Sequence, residues 1–243
     1  MAFPLNIINI YNNNKTFHLV QESYLFAGTK ERGIEFFRKI KNDGYKEIVT
    51  CGTTYGYGQV AAAYCCKQIG LLCTIFLPET FPRTHMTNLA IELGANVVDI
   101  CGHPTVGKLT NNAAKYSSDN SFRKLLNVGL DDPDFIQALS DNININKGNI
   151  NPNRMWLAAG SGTLLRALHK VFPNCHFCVV QVGRHIYSDI LKGINHTIYK
   201  CSQSFKENAK ILPPYTSLEN YDAKIWQFVT KHGQNGDYIW NVK

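Results

Sequence analysis

The sequence predicts an α/β fold of two lobes, each an open, mostly parallel sheet with flanking helices. Three observations predict it. Short apolar runs alternate with segments of helical period through the first hundred residues. Glycine or proline punctuates most of the handovers between them. After a polar break near residue 150, a further unit of strand, glycine turn and helix appears, which again favours parallel pairing.

Taken in order, Glu31 to Asn42 carries Ile34, Phe37 and Ile40 at helical spacing, and Gly44 stops it. Glu47 to Cys51 is a buried strand, and Thr53 to Gly58 a polar loop with glycines. Gln59 to Ile69 is an Ala-rich helix ended by Gly70. Cys73 to Leu77 is a strand closed by Pro78. Arg83 to Leu93 is a helix stopped by Gly94, and Asn96 to Ile100 another strand. Helices are expected over Lys108 to Tyr116 and Asp134 to Leu139. The Asn-rich stretch Asn142 to Asn153 reads as an exposed connection. Met155 to Ala159 is a strand, Leu164 to Val171 a helix and Phe177 to Val182 a strand. The aromatic tail ends in a helix, Asp222 to His232, and a short strand, Tyr238 to Val242. At this length the chain forms one large domain or two small ones.

With 243 residues, 44% hydrophobic and 18% charged, the chain has the composition of a soluble globular protein with a substantial core. No apolar run reaches the roughly 18 residues of a membrane span. Met1 to Ile10 lacks the basic flank and apolar core of a secretory signal, so a cytoplasmic location is expected. The eight cysteines mostly fall in apolar runs and read as reduced, buried thiols. Cys175 and Cys178 have CxxC spacing but no second pair, which weakens a zinc reading. The eight histidines, His103 included, show no metal-ligand spacing, so no metal is expected. The net charge of +7 is uneven: residues 151–243 hold 11 Lys+Arg against 5 Asp+Glu, whereas residues 1–150 hold 14 against 13. That basic third is either a solvated surface or a face for an anionic substrate.

Three segments carry chemistry. Lys30 stands where a turn hands over to a helix, and burial together with the positive end of that helix would lower its pKa. Ala159-Gly160-Ser161-Gly162-Thr163-Leu164 links an apolar strand to a helix. Its glycines let backbone N–H groups approach a phosphate, Ser161 and Thr163 add hydroxyl donors, and the helix dipole points the same way. A reactive amine and a phosphate cradle together suit a phosphorylated carbonyl cofactor. The third segment is Thr53-Thr54-Tyr55-Gly56-Tyr57-Gly58-Gln59, with the Ala-rich helix behind it.

The order Lys30-Glu31-Arg32-Gly33, strand, Thr- and Gly-rich loop, Ala-rich helix, strand ending Pro78-Glu79, helix, Leu93-Gly94-Ala95-Asn96-Val97 resembles the fold-type II enzymes that use pyridoxal 5'-phosphate (PLP). These include threonine synthase, serine/threonine dehydratase, cysteine synthase and the tryptophan synthase β subunit. The resemblance covers residues 25–100 almost continuously and then 150–183. It implies a larger lobe of residues 1–43 with 146–243, a smaller lobe of residues 44–145, and PLP held by Lys30 as a Schiff base in the cleft between them, with Lys30 shuttling the Cα proton. It also implies a phosphate anchored by Gly160, Ser161, Gly162, Thr163 and Leu164. The substrate carboxylate would be held by the loop of Thr53, Thr54, Tyr55, Gly58 and Gln59. The reaction implied is elimination, replacement or decarboxylation at the α or β carbon of an amino acid, by a lyase or transferase, in a homodimer.

Two departures stand out. The related loops read Ser-Gly-Asn-x-Gly, and Gly56 falls where their asparagine bonds the cofactor's 3'-oxygen. Tyr55 or Tyr57 substitutes for it as a donor or general acid, or both simply cover the loop. The C-terminal region, which supplies a hydroxyl to the pyridine nitrogen in the related enzymes, is short here; Thr216 and Ser217 are the candidates. A second reading follows from the compact chain, the altered loop and the basic C-terminal third. It resembles compact PLP enzymes of viral DNA hypermodification, acting on an amino acid attached to a DNA base, in the host cytoplasm. A third is a degenerate, non-catalytic member.

Overall fold

The computed structural model describes residues 4–183 and 185–243. The elements are β1 (Asn6–Asn12), β2 (Lys15–Gln21), a 3-10 helix (Gly28–Gly33), α1 (Ile34–Asn42), β3 (Glu47–Cys51), α2 (Gly58–Ile69) and β4 (Leu72–Pro78). Then follow α3 (His85–Glu92), β5 (Asn96–Ile100), α4 (Val106–Ser118), β6 (Arg123–Leu125), α5 (Pro133–Asn146), β7 (Arg154–Ala159) and α6 (Thr163–Val171). The chain ends with β8 (His176–Gln181), α7 (Ser188–Leu191), β9 (His196–Lys200), a second 3-10 helix (Asp222–Ile225), α8 (Trp226–His232) and β10 (Tyr238–Asn241). Two compact units result, one of Met1–Thr29 with Leu139–Lys243, the other of Lys30–Ala138.

The first unit holds a six-stranded sheet in the order β1-β2-β10-β7-β8-β9. All its pairings are parallel except β1 with β2. These two form a hairpin that alternation alone did not reveal. Its turn is Asn13-Asn14, both left-handed (φ 47° and 59°), a conformation asparagine tolerates better than most residues. The apolar runs of β7 and β8 are buried along nearly their whole length, as parallel strands covered on both faces must be. Phe17, Leu19, Trp156, Val180 and Ile239 form its core with Trp226 and Val229 of α8. The buried Trp156 indole donates to Asp237 Oδ2 at 2.8 Å, which removes the cost of burying its N–H.

The second unit has a fully parallel four-stranded sheet, β5-β4-β3-β6. Helix α2 is buried through Val60, Ala61, Ala62, Ala63, Cys65, Cys66 and Ile69, and small side chains let it lie close to its neighbours. It ends at Gly70, in the left-handed conformation (φ 74°) that glycine adopts without penalty. Phe36 and Phe37 of α1 meet Phe135 edge-on, with ring centroids 5.7 and 6.2 Å apart. Glu47 at the start of β3 is buried and fully occupied. It accepts from Thr74 Oγ1 (2.6 Å), Tyr116 OH (3.1 Å) and Arg123 Nε (2.8 Å), tying β3, β4, α4 and β6 together.

The structure departs from the sequence reading at other places as well. The segment from Glu31 is not one helix: a 3-10 turn precedes α1, which starts at Ile34. Helix α5 runs on to Asn146, into the stretch expected to be an open connection. Its buried Ile136, Leu139 and Ile143 recur at i, i+3 and i+7, a stripe that the surrounding asparagines obscure. The helix expected over 222–232 is a 3-10 turn followed by α8. Strands β6 and β9 have few apolar residues and no clean alternation, so periodicity missed them.

Candidate active site

Within the second unit, Lys30 lies inside the 3-10 helix rather than at the head of an α-helix. Its Nζ donates to the carbonyl of Gly129 at 2.7 Å. Burial, not a helix dipole, pushes the amine down to about 8. At neutral pH about one amine in ten is therefore uncharged, far more than for a solvated lysine.

Gly58 begins α2 beside this amine: a Cβ there would lie 3.4 Å from Lys30 Nζ. The loop before it is tightly wound. Gly56 N donates to Thr53 O at 3.1 Å, and a Cβ on Gly56 would lie 2.9 Å from Thr53 Oγ1. The Thr53 hydroxyl thus fills the space that a side chain at 56 needs, which accounts for the glycine there. Gln59 braces the loop, its Nε2 donating to Thr53 O (3.3 Å) and Thr54 O (2.9 Å). Its Oε1 is buried without a hydrogen-bond partner among the described residues. Thr84, which the sequence did not single out, caps α3 and donates its hydroxyl to the same Thr54 carbonyl at 2.5 Å. Tyr57 is the N-cap of α2. Burial, with the Glu31 carboxylate adding to it, pushes its phenol up to about 12, so it stays protonated and can donate. Tyr55 is half-buried on the same loop.

The first unit holds the other candidates. Gly160 and Ser161 follow β7, and Gly162 is left-handed (φ 81°) as the N-cap of α6. Gly162 has no side chain and gives that helix no N-cap hydrogen bond. Ser161 Oγ and Thr163 Oγ1 share a hydrogen bond of 2.9 Å, and Leu164 is buried behind them. A Cβ on Gly162 would collide with the Ile190 side chain of α7. Gly162→Ala is expected to cost about 1–2 kcal/mol, from that collision and from the positive φ. Pairing it with Ile190→Ala should recover only the steric share in urea denaturation; full recovery would refute the backbone argument.

Tyr221 OH donates to Ala158 O at 3.3 Å, fastening the 218–221 turn to the end of β7. On that side Thr216 is exposed, with its carbonyl accepting from Asn241 Nδ2 at 2.5 Å. Ser217 Oγ is buried and has no hydrogen-bond partner among the described residues. Asp222 accepts from the backbone N–H of Leu218 (2.9 Å), Val242 (2.9 Å) and Lys243 (3.3 Å). Burial outweighs those donors and raises its carboxyl to about 6. A carboxyl raised on folding favours the fold below its unfolded value near 4, and that contribution is lost as pH rises through about 6. The urea midpoint is therefore expected to drop between pH 4 and 7, and Asp222→Asn to flatten the drop. An unchanged slope in the variant would refute this assignment.

Cys175 and Cys178 are separately engaged: Cys175 Sγ donates to His176 O at 3.6 Å, and Cys178 Sγ accepts from Arg154 Nε at 3.0 Å. Among the described residues no three His, Cys, Asp or Glu side chains group as a metal site would, and all eight cysteines are free. No described helix is long and apolar enough to cross a membrane.

No family's sequence model matches the chain, and no curated protein matches its sequence. Solved structures do match. An ACC deaminase homologue superposes with a TM-score of 0.83 at 12% identity, over 99% of this chain and 89% of that one. Diaminopropionate ammonia lyase of Escherichia coli in its apo form gives 0.69 at 15%, over 100% and 83%. Serine racemase of Dictyostelium discoideum gives 0.64 at 15%, over 98% and 91%. These are fold-type II PLP enzymes, and the α/β fold of this chain, with its parallel-rich sheets and flanking helices, is theirs. At such identities the likeness establishes the fold, and function has to be argued from the residues.

Proposed function

We propose that the chain is a PLP-dependent enzyme acting at the α or β carbon of an amino acid, with Lys30 as the residue that holds the cofactor. The observation that carries this is the Lys30 amine, held by a neutral carbonyl at 2.7 Å and brought down by desolvation to about 8. An amine in that state is a nucleophile toward an aldehyde near neutral pH, which a solvated lysine is not.

The remaining residues fit the group. The glycine turn at the start of α6, with Gly160, Ser161, Gly162, Thr163 and Leu164, would hold the phosphate. The unpartnered Ser217 hydroxyl is suited to the pyridine nitrogen, and the exposed Thr216 is not. Thr53 and Thr54 would hold the substrate carboxylate, on a loop that Gln59 and Thr84 keep rigid. Tyr57 would donate where Gly56 offers no side chain. When bound, PLP supplies an electron sink for charge developing at the substrate Cα. Lys30, once released by the substrate amine, would take up and return the Cα proton.

Incubation with PLP, borohydride reduction and peptide mass spectrometry tests the assignment. The expected result is one pyridoxyl adduct on Lys30, accompanied before reduction by a visible absorbance band. An adduct scattered over surface lysines such as Lys39 and Lys67, with Lys30 unmodified, would overturn the reading.

A further inference from the structure

We propose that the backbone carbonyl of Gly129 is a positioning group for the Lys30 amine, and that the turn over residues 127–132 is shaped to present it. Its catalytic meaning rests on the reading of Lys30 given above; its structural content does not.

The turn is unusual in its backbone. Gly129 (φ 76°) and Leu130 (φ 57°) are left-handed in succession, and a leucine in that region is strained by about 1–2 kcal/mol. Such strain persists only where the surroundings enforce it. Here they do. Leu130 is buried. Leu130 N donates to Asn127 O, Asp132 N to Leu130 O and Asn127 Nδ2 to Asp131 O, each at 3.0 Å. Asp132 Oδ1 accepts from Asp134 N at 2.8 Å and pins the turn to the start of α5. The outcome of this bracing is a carbonyl 2.7 Å from Lys30 Nζ.

Across from it, the Cβ-less Gly58 leaves the amine uncovered, with its own Cβ position 4.0 Å from Gly129 Cα. The amine therefore sits between two glycines, one giving an acceptor and the other giving room. The choice of a carbonyl matters. A carboxylate in that place would hold the amine charged, whereas a carbonyl fixes it without adding charge. A carbonyl also only accepts, so it takes one N–H of the neutral amine and leaves the lone pair turned away from the 127–132 turn. Of the nearby carboxylates in sequence, Asp132 accepts from Asp134 N at the start of α5, and Glu31 raises the Tyr57 and Tyr64 phenols and the Cys65 thiol.

Competitive trace acetylation with acetic anhydride, read at the Lys30 peptide across pH, tests this on the whole chain without any need for PLP. Gly129→Val puts a β-branched residue at a φ it cannot hold, and so displaces the carbonyl. Gly129→Ala is the milder companion if the valine variant does not fold. Thr105→Ala, which removes the N-cap of α4, controls for general destabilisation. The Lys30 midpoint is expected to rise by about one unit or more in the Gly129 variants, as the released side chain reaches water. It should stay put in Thr105→Ala. Unmoved midpoints in the folded Gly129 variants would overturn the proposal. So would an equal shift in Thr105→Ala. A shifted midpoint with no PLP capture by the parent chain would instead uphold the positioning role and defeat the proposed function.

Discussion

Lys30→Ala is expected to abolish covalent capture of PLP and to slow amino-acid turnover by about 1,000-fold or more. The alanine has no nucleophile for the cofactor and no base to move the Cα proton. The fold should be unharmed. Removing an amine whose charged form is penalised by burial takes away a cost, so the urea midpoint should hold or rise. Lys30→Arg sharpens the test, because arginine keeps the charge and much of the bulk but stays protonated throughout. It should be as inactive as the alanine variant. If either retained a tenth or more of parental turnover, the chemistry would reside on another lysine.

The second large effect concerns folding. Glu47→Ala should destabilise the chain by about 1–3 kcal/mol, the range expected when a buried hydrogen-bond donor, here the Thr74 hydroxyl, is left unsatisfied. Three donors lose their acceptor at once: Thr74 Oγ1, Tyr116 OH and Arg123 Nε. Arg123 would keep only its bond to Tyr116 O (2.8 Å) and its stacking on the Tyr116 ring, 3.7 Å from the centroid. Glu47→Gln should cost less, since its amide oxygen still accepts from Thr74 and Tyr116. Equilibrium urea denaturation gives both values. A loss below about 1 kcal/mol in the alanine variant would mean that Arg123 finds another partner.

Much of this molecule could be read from its residues, and the reasons differ by element. Strands β3, β4, β7 and β8 were legible because parallel strands buried on both faces are written as unbroken apolar runs. Helix α2 was legible from its alanines and its terminal Gly70. The loops at Thr53–Gln59 and Gly160–Leu164 were visible because glycine next to hydroxyl residues has few structural uses. The hairpin β1–β2 was not, since Asn and Ile do not alternate strictly in β1 and the Asn13-Asn14 turn lacks glycine. Gly129 was beyond reach for another reason. The run Gly129-Leu130-Asp131-Asp132-Pro133 announces a turn, but nothing local says that its carbonyl meets a side chain 99 positions away in sequence. Thr84 shares that limit, because its distinction lies in one tertiary partner, the Thr54 carbonyl; Ser217 was a candidate from the sequence, but only packing sets it apart from Thr216.

The place of β10 has a consequence for how the chain comes together as it is made. Residues 238–241 pair in parallel with β2 on one side and β7 on the other, so the middle of the six-stranded sheet is filled by a strand made after the other five. Until then the β1–β2 hairpin and the β7-β8-β9 group have no neighbour to join them, and two strand edges stay open to wrong partners. The second unit lacks this dependence, since β3, β4, β5 and β6 lie within 79 consecutive residues, from Glu47 to Leu125. It can close while later residues are still being synthesised, before the slower, high-contact-order sheet is complete.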